Sequence, residues 1–126
     1  MRIFKNKDFN KWAAKEGIED NTLVNAVDEM ERGLINADLG GHVFKKRVGT
    51  VGRGKSGGVR TLLAYKLDDK AFFIYGFAKN ARSNISAKEL KSLKLYAKEL
   101  LGYNDRKLEQ AKENNVLIEL EVEDNG

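Results

Sequence analysis

Two short apolar runs, Thr61-Leu62-Leu63-Ala64-Tyr65 and Ala71-Phe72-Phe73-Ile74-Tyr75, separated by Lys66-Leu67-Asp68-Asp69-Lys70, limit what this chain can fold into more than any other feature. β-rich segments of matched length around an Asp-containing turn read as an antiparallel hairpin. A two-stranded hairpin is marginal in water and needs a neighbour. The preceding run His42-Val43-Phe44-Lys45-Lys46-Arg47-Val48 supplies it, although its period-2 pattern is poor. Basic, glycine-rich stretches flank the hairpin on both sides, Gly52-Arg53-Gly54-Lys55-Ser56-Gly57-Gly58-Val59-Arg60 before it and Gly76-Phe77-Ala78-Lys79-Asn80-Ala81-Arg82 after it. Antiparallel pairing brings the Arg60 end of one strand to the Phe77 to Lys79 end of the other, so two basic clusters become one surface.

The charge distribution supports that surface. From Leu39 to Lys88 there are eleven Lys and Arg against only Asp68 and Asp69, a net +9, while the rest of the chain carries −5 and the whole only +4. A basic middle between acidic flanks points to a polyanionic partner; the plainer alternative is a solvated basic sheet face. With no cysteine and a single histidine, His42, the chain has no disulfide, no thiolate nucleophile and no His or Cys metal cluster, so no metal and no cofactor are expected. Any chemistry falls to Lys, Arg, Tyr, Ser, Asp or Glu. No apolar run approaches the ~20 residues that cross a bilayer, which sets the expectation of a soluble, cytoplasmic protein without membrane contact. At 126 residues the chain suits one core, and we read residues 1–126 as a single domain.

The remaining segments are consistent with a small α+β fold. Arg2 to Lys5 reads as a strand, and Asp8 as the cap of a short helix carrying Phe9, Trp12 and Ala13 before Gly17. Asp20 or Asn21 caps a second helix with the stripe Leu23, Val24, Val27, Met30 and Leu34. Ser86-Ala87-Lys88-Glu89 is a capping box before Leu90, Leu93, Ala97, Leu100 and Leu101, a helix ending near Gly102. Asp105 to Lys112 reads as a further turn or short helix. Residues 103–126 form an extension in which Val116 to Glu123 alternates as an edge strand guarded by glutamates.

Gly49-Thr50-Val51-Gly52-Arg53-Gly54-Lys55-Ser56 matches the phosphate-loop pattern G-x-x-x-x-G-K-S. That motif works only when a helix starts directly behind the lysine and aims its free N–H groups at the phosphates. Here Gly57-Gly58 and a β-rich run follow, so no nucleotide binding is expected. The glycines and Lys55 instead suit a loop that closes on a phosphodiester.

Strand, two helices, a basic antiparallel sheet bearing G-R-G-K-S-G-G-V-R and G-F-A-K-N, then a capped helix: this order resembles the RelE/HigB-like toxins of bacterial type II toxin–antitoxin systems, in the branch with phage-derived relatives, over roughly residues 1–102. The resemblance implies a RelE-like domain, two N-terminal helices on a mainly antiparallel sheet with a C-terminal helix. It also implies an mRNA interferase, acting on mRNA at the ribosome to inhibit translation, silenced by a cognate acidic antitoxin. The family's RNA-contacting basic positions match Lys45, Arg47, Arg60, Lys79 and Arg82. A family arginine falls at Asn80 and a family tyrosine near Ser86. Tyr65 or Tyr75 stands as the substitute aromatic, and strand alternation leaves open which of the two faces RNA.

The implied reaction is attack of a ribose 2′-hydroxyl on the adjacent phosphate, which needs no metal. Fixed cations such as Arg60 and Lys55 stabilise the charge that grows in the transition state. A lysine among cations gives up its proton more readily, which makes Lys45 or Lys79 the candidate base. Lys45, Arg47, Lys55, Arg60 and Lys79 are thus the catalytic candidates, and Lys46, Arg53, Tyr65, Asn80 and Arg82 the RNA-binding ones. The alternative of another class is a non-catalytic RNA- or ribosome-binding module, or a ParE-like gyrase inhibitor on the same fold.

Overall fold

The computed structural model describes residues 1–49, 58–78 and 84–122. Among them the elements run β1 (Arg2–Asn6), α1 (Lys7–Glu16), α2 (Asp20–Glu31), β2 (Ala37–Asp38), β3 (Val43–Val48), β4 (Val59–Lys66), β5 (Lys70–Ala78), α3 (Ala87–Leu101), α4 (Asp105–Glu113) and β6 (Leu117–Leu120). The strands form one sheet in the order β2-β3-β4-β5-β1-β6. Every neighbour pairs antiparallel except β1 and β5, which run parallel. The fold is α+β, with the hairpin β4–β5 at its centre. The expected edge strand is real but shorter than the alternation suggested, and it pairs with β1.

Helices cover both sheet faces, and the strands supply an apolar set to each. Ile3, Leu63, Val48 and Phe73 meet Phe9 of α1 and Leu23, Val27 and Met30 of α2. Phe4, Leu62 and Phe72 meet Ala97 and Leu100 of α3 and Leu108 of α4. Each buried Leu or Phe contributes ~1.5–3 kcal/mol of transfer free energy, so the two-sided central strands carry most of the stability. Of the α2 stripe, Leu34 lies beyond the helix and is exposed.

Local capping differs from the sequence expectation in two places. Asn6, not Asp8, caps α1: its backbone is extended, and its side-chain oxygen accepts the Phe9 N–H at 2.7 Å. Asp8 sits inside the first turn, where a carboxylate still meets the positive helix end. Glu19, not Asp20 or Asn21, caps α2 and makes no side-chain bond; Asp20 lies in the first turn and accepts from the buried Lys5 ammonium at 2.8 Å. The capping box of α3 forms as read, with the Glu89 N–H donating to Ser86 Oγ at 3.1 Å and the Ser86 N–H donating to Glu89 Oε1 at 3.0 Å.

One irregularity decides the functional face. Leu62 pairs with Tyr75 but Leu63 with Phe73, so Ile74 is an extra residue, a β-bulge in β5. Simple alternation from Ala71 and Phe73 would send Tyr75 toward α1 and α2. The bulge turns it to the α3 side instead, as bulges commonly do. The Asn6 side-chain amide donates to the bulged Ile74 carbonyl at 3.1 Å and so ties the start of α1 to the kink. Gly76 then faces α1, and a Cβ built there would run into the Trp12 ring.

Candidate nucleic-acid interface

In β3 and β4, Val48 and Val59 point to the α1–α2 core and Val43 and Leu62 to the α3–α4 core. Alternation therefore places Lys45, Arg47 and Arg60 on the α3 side. Pairing aligns them in two rows across the sheet, Arg47–Arg60–Phe77 and Lys45–Leu62–Tyr75. Three cations and two aromatic rings share one end of one face. The Tyr75 and Phe77 rings lie 6.2 Å apart, tilted by 41°.

The cations are held in different ways. Arg47 is exposed, and its backbone N–H is anchored by the Asn36 side chain at 2.7 Å. Arg60, its direct cross-strand partner, is half-buried, and its Nη1 is buried with no hydrogen-bond partner among the described residues. Like charges directly opposite one another destabilise a sheet, and an unpaired buried donor costs ~1–3 kcal/mol. Close backbone approach fixes the register there, since a Cβ at Gly58 would overlap the Val48 carbonyl oxygen. Chemically, the row offers a half-buried guanidinium beside an exposed one, which suits a phosphate oxygen and repels a cation.

Two RNA-binding candidates lie on the other face, and both are corrections to the sequence reading. Lys46 is buried, with its ammonium 3.1 Å from Glu29 Oε1 and donating to the Leu34 carbonyl at 2.9 Å. Tyr65 is buried against Phe44, and its hydroxyl donates to the Glu31 carboxylate. Burial first, and the Glu31 hydrogen bond and charge second, push the Tyr65 pKa well up. Neither side chain reaches the surface carrying Arg60. Tyr75 is the aromatic on that surface. Arg53, Lys55, Lys79, Asn80 and Arg82 lie outside the described residues, as does most of the phosphate-loop pattern; β4 begins at Val59.

The sequence reading left out the first turns of α3. Only Ala97 and Leu100 of this helix are buried, both in its C-terminal half. Its N-terminal half packs Leu90 and Leu93 partly buried against the core and borders an open pocket of about 340 Å³ beside Tyr75, lined by Lys88, Glu89, Ser92 and Leu93. The capping box was the signal that could have found it, because it fixes these residues within the first turns after the basic loop. Among the described residues no group of His, Cys, Asp or Glu is placed to hold a metal ion, and no helix is long and apolar enough to cross a membrane.

No curated protein matches the sequence significantly. One family model does, described as the RelE toxin of the RelE / RelB toxin-antitoxin system, and it matches residues 1–120. That span runs from β1 to the last residue of β6 and includes both cationic rows. A toxin of this kind has an antitoxin as its partner, and the chain belongs to the RelE toxin family.

Proposed function

We propose that the protein is an mRNA interferase that cleaves mRNA at the ribosome without a metal ion and so stops translation. One arrangement carries this reading: the Arg47–Arg60 row beside Lys45, with the buried Arg60 Nη1 lacking a partner among the described residues. In the reaction a ribose 2′-oxygen bonds to the adjacent phosphorus and the bond from phosphorus to the 5′-oxygen breaks. The products are a 2′,3′-cyclic phosphate and a free 5′-hydroxyl. Negative charge grows on the non-bridging oxygens along this path. A guanidinium held in place on the sheet, with one nitrogen already buried, stabilises that charge more than it stabilises the ground state. Lys45, one row from Arg60, takes the 2′-hydroxyl proton, solvent water protonates the departing 5′-oxygen, and Arg47 holds the flanking phosphate.

The antitoxin then carries an acidic segment that lies over the same cations and keeps cellular RNA away from them. The deciding experiment incubates the purified toxin with translating ribosomes and maps new RNA ends. We expect 2′,3′-cyclic phosphate ends that fall ~10²–10³-fold in rate with Arg60→Ala, the loss typical of one electrostatic donor. An mRNA that stays intact under wild-type toxin would refute the reading. Tight binding without cleavage would favour a non-catalytic RNA-binding module.

A further inference from the structure

We infer that Asn6 is a positioning residue of the cationic face: its side-chain amide holds the bulge at Ile74 and so decides which residue of β5 stands opposite Arg60. The inference rests on the function proposed above and names a residue that shapes the same site without touching RNA. β1 pairs with β5 in parallel as far as Lys5–Phe73, after which the chain leaves the sheet into α1. Asn6 is the next residue in that register and stands beside Ile74. Across the other edge of β5, β4 pairs Leu63 with Phe73 but Leu62 with Tyr75, and passes over Ile74. The extra residue of a bulge is left without a partner in the ladder. Asn6 supplies one from a side chain, its Nδ2 donating to the Ile74 carbonyl at 3.1 Å. Its Oδ1 accepts the Phe9 N–H at 2.7 Å, so an acceptor at one end and a donor at the other fix the amide in one orientation.

The register on the functional face depends on that carbonyl. Continued from Leu63–Phe73 without the extra residue, the ladder would set Tyr75 opposite Thr61 and Gly76 opposite Arg60. With the bulge, Gly76 stands opposite Thr61 and Phe77 opposite Arg60. The regular ladder would also carry Tyr75 to the place beneath the Trp12 ring that admits no Cβ. α1 therefore grips β5 twice, through Asn6 at Ile74 and through Trp12 at Gly76, and both grips hold the bulged register. Arg60 sits where that register puts it, and misplacing a reacting group by about 1 Å costs on the order of 10²-fold in rate.

The test separates the two bonds of Asn6. Asn6→Asp and Asn6→Ser both keep a good helix cap, and both lose the amide donor; Ser also adds no charge. Gly17→Ala is the control, because it strains the C-cap of the same helix at φ 71° and leaves Asn6 intact. Each protein is followed by thermal unfolding, by the NMR cross-strand contact between Arg60 and Phe77, and by single-turnover cleavage of mRNA on translating ribosomes. The Asp and Ser variants should stay folded and lose the Arg60–Phe77 contact. Their rate at saturating toxin should fall roughly 10²-fold, with the half-saturating toxin concentration unchanged. Gly17→Ala should lower the melting temperature and keep both the contact and the rate. Asp and Ser variants that keep the contact, or that lose it and cleave at the wild-type rate, overturn the inference. Unfolding of both also overturns it, because the amide then holds the fold and not the site. A wild-type protein that cleaves no RNA refutes the function proposed above, and the hold of Asn6 on the register is then decided by the Arg60–Phe77 contact alone.

Discussion

The Glu119→Gln substitution tests whether the C-terminal elements are fastened to the sheet by charge. Glu119 of β6 accepts from Arg2 of β1 at 2.8 and 2.9 Å and from Lys112 of α4 at 2.9 Å. The hydrogen bond from Arg2 chiefly, then the one from Lys112 and both positive charges, lower its pKa to about 2 despite partial burial. In a fully shielded pair such a drop corresponds to ~3 kcal/mol. Arg2 and Glu119 keep 31% and 24% of their side chains exposed, and screening reduces the effect to ~1–2 kcal/mol. Because the folded pKa is depressed, this stability is fully present above the ordinary glutamate pKa of 4.5 and is lost as pH falls toward 2. Urea unfolding followed by circular dichroism should therefore separate wild type from Glu119→Gln at pH 5 to 7. With an m-value of about 1–3 kcal/mol/M, the midpoints should differ by roughly 0.5–1 M. The gap should close near pH 2. A gap that persists unchanged from pH 6 to pH 2, or no gap at neutral pH, would refute the reasoning.

Gly76→Ala forces a Cβ against the Trp12 ring. It should cost at least ~1–3 kcal/mol by overpacking, measured by thermal unfolding, with the segment bearing Tyr75 and Phe77 displaced. Lys46→Met breaks the pair with Glu29 and should lower stability by about 1–3 kcal/mol, yet leave RNA affinity and its salt dependence unchanged. Lys45→Met should do the reverse, reducing the slope of log K against log salt by roughly one.

How much of this was legible in the sequence depends on which period each segment obeys. The hairpin, the α3 capping box and the α2 stripe follow local rules that the sheet does not override, and all three form, the stripe without Leu34. Lys46 and Tyr65 were misplaced for a different reason. Lys45, Lys46 and Arg47 are chemically alike, so only the neighbours Phe44 and Val48, which share a face with Lys46, reveal that it turns inward. For Tyr65 the deciding partners are Glu31, far away in sequence, and the packing of Phe44. The face of Tyr75 was unreadable for a sharper reason, since one inserted residue reverses every side chain beyond it, and the bulge at Ile74 is stabilised by Asn6 at the other end of the chain. The parallel β1–β5 pairing is hidden in the same way, because no local signal records which strand enters the middle of a sheet.

A sheet selected only for stability would not set Arg47 directly opposite Arg60, nor bury Nη1 of Arg60 without a partner among the described residues. Both choices oppose folding, by up to ~1 kcal/mol for the facing charges and ~1–3 kcal/mol for the orphaned donor. They persist because the two strands that hold them are fixed elsewhere, by apolar cores on both faces and by close approaches of Gly58 to the Val48 carbonyl and of Gly76 to the Trp12 ring. Local rules tend to be broken where function requires it. An anion settling between the two guanidinium groups removes both penalties at once, so free energy withheld from the empty fold is released on binding. On the function proposed above, a partner that places negative charge on this row would relieve the same penalties that RNA relieves, and so compete with it for the site.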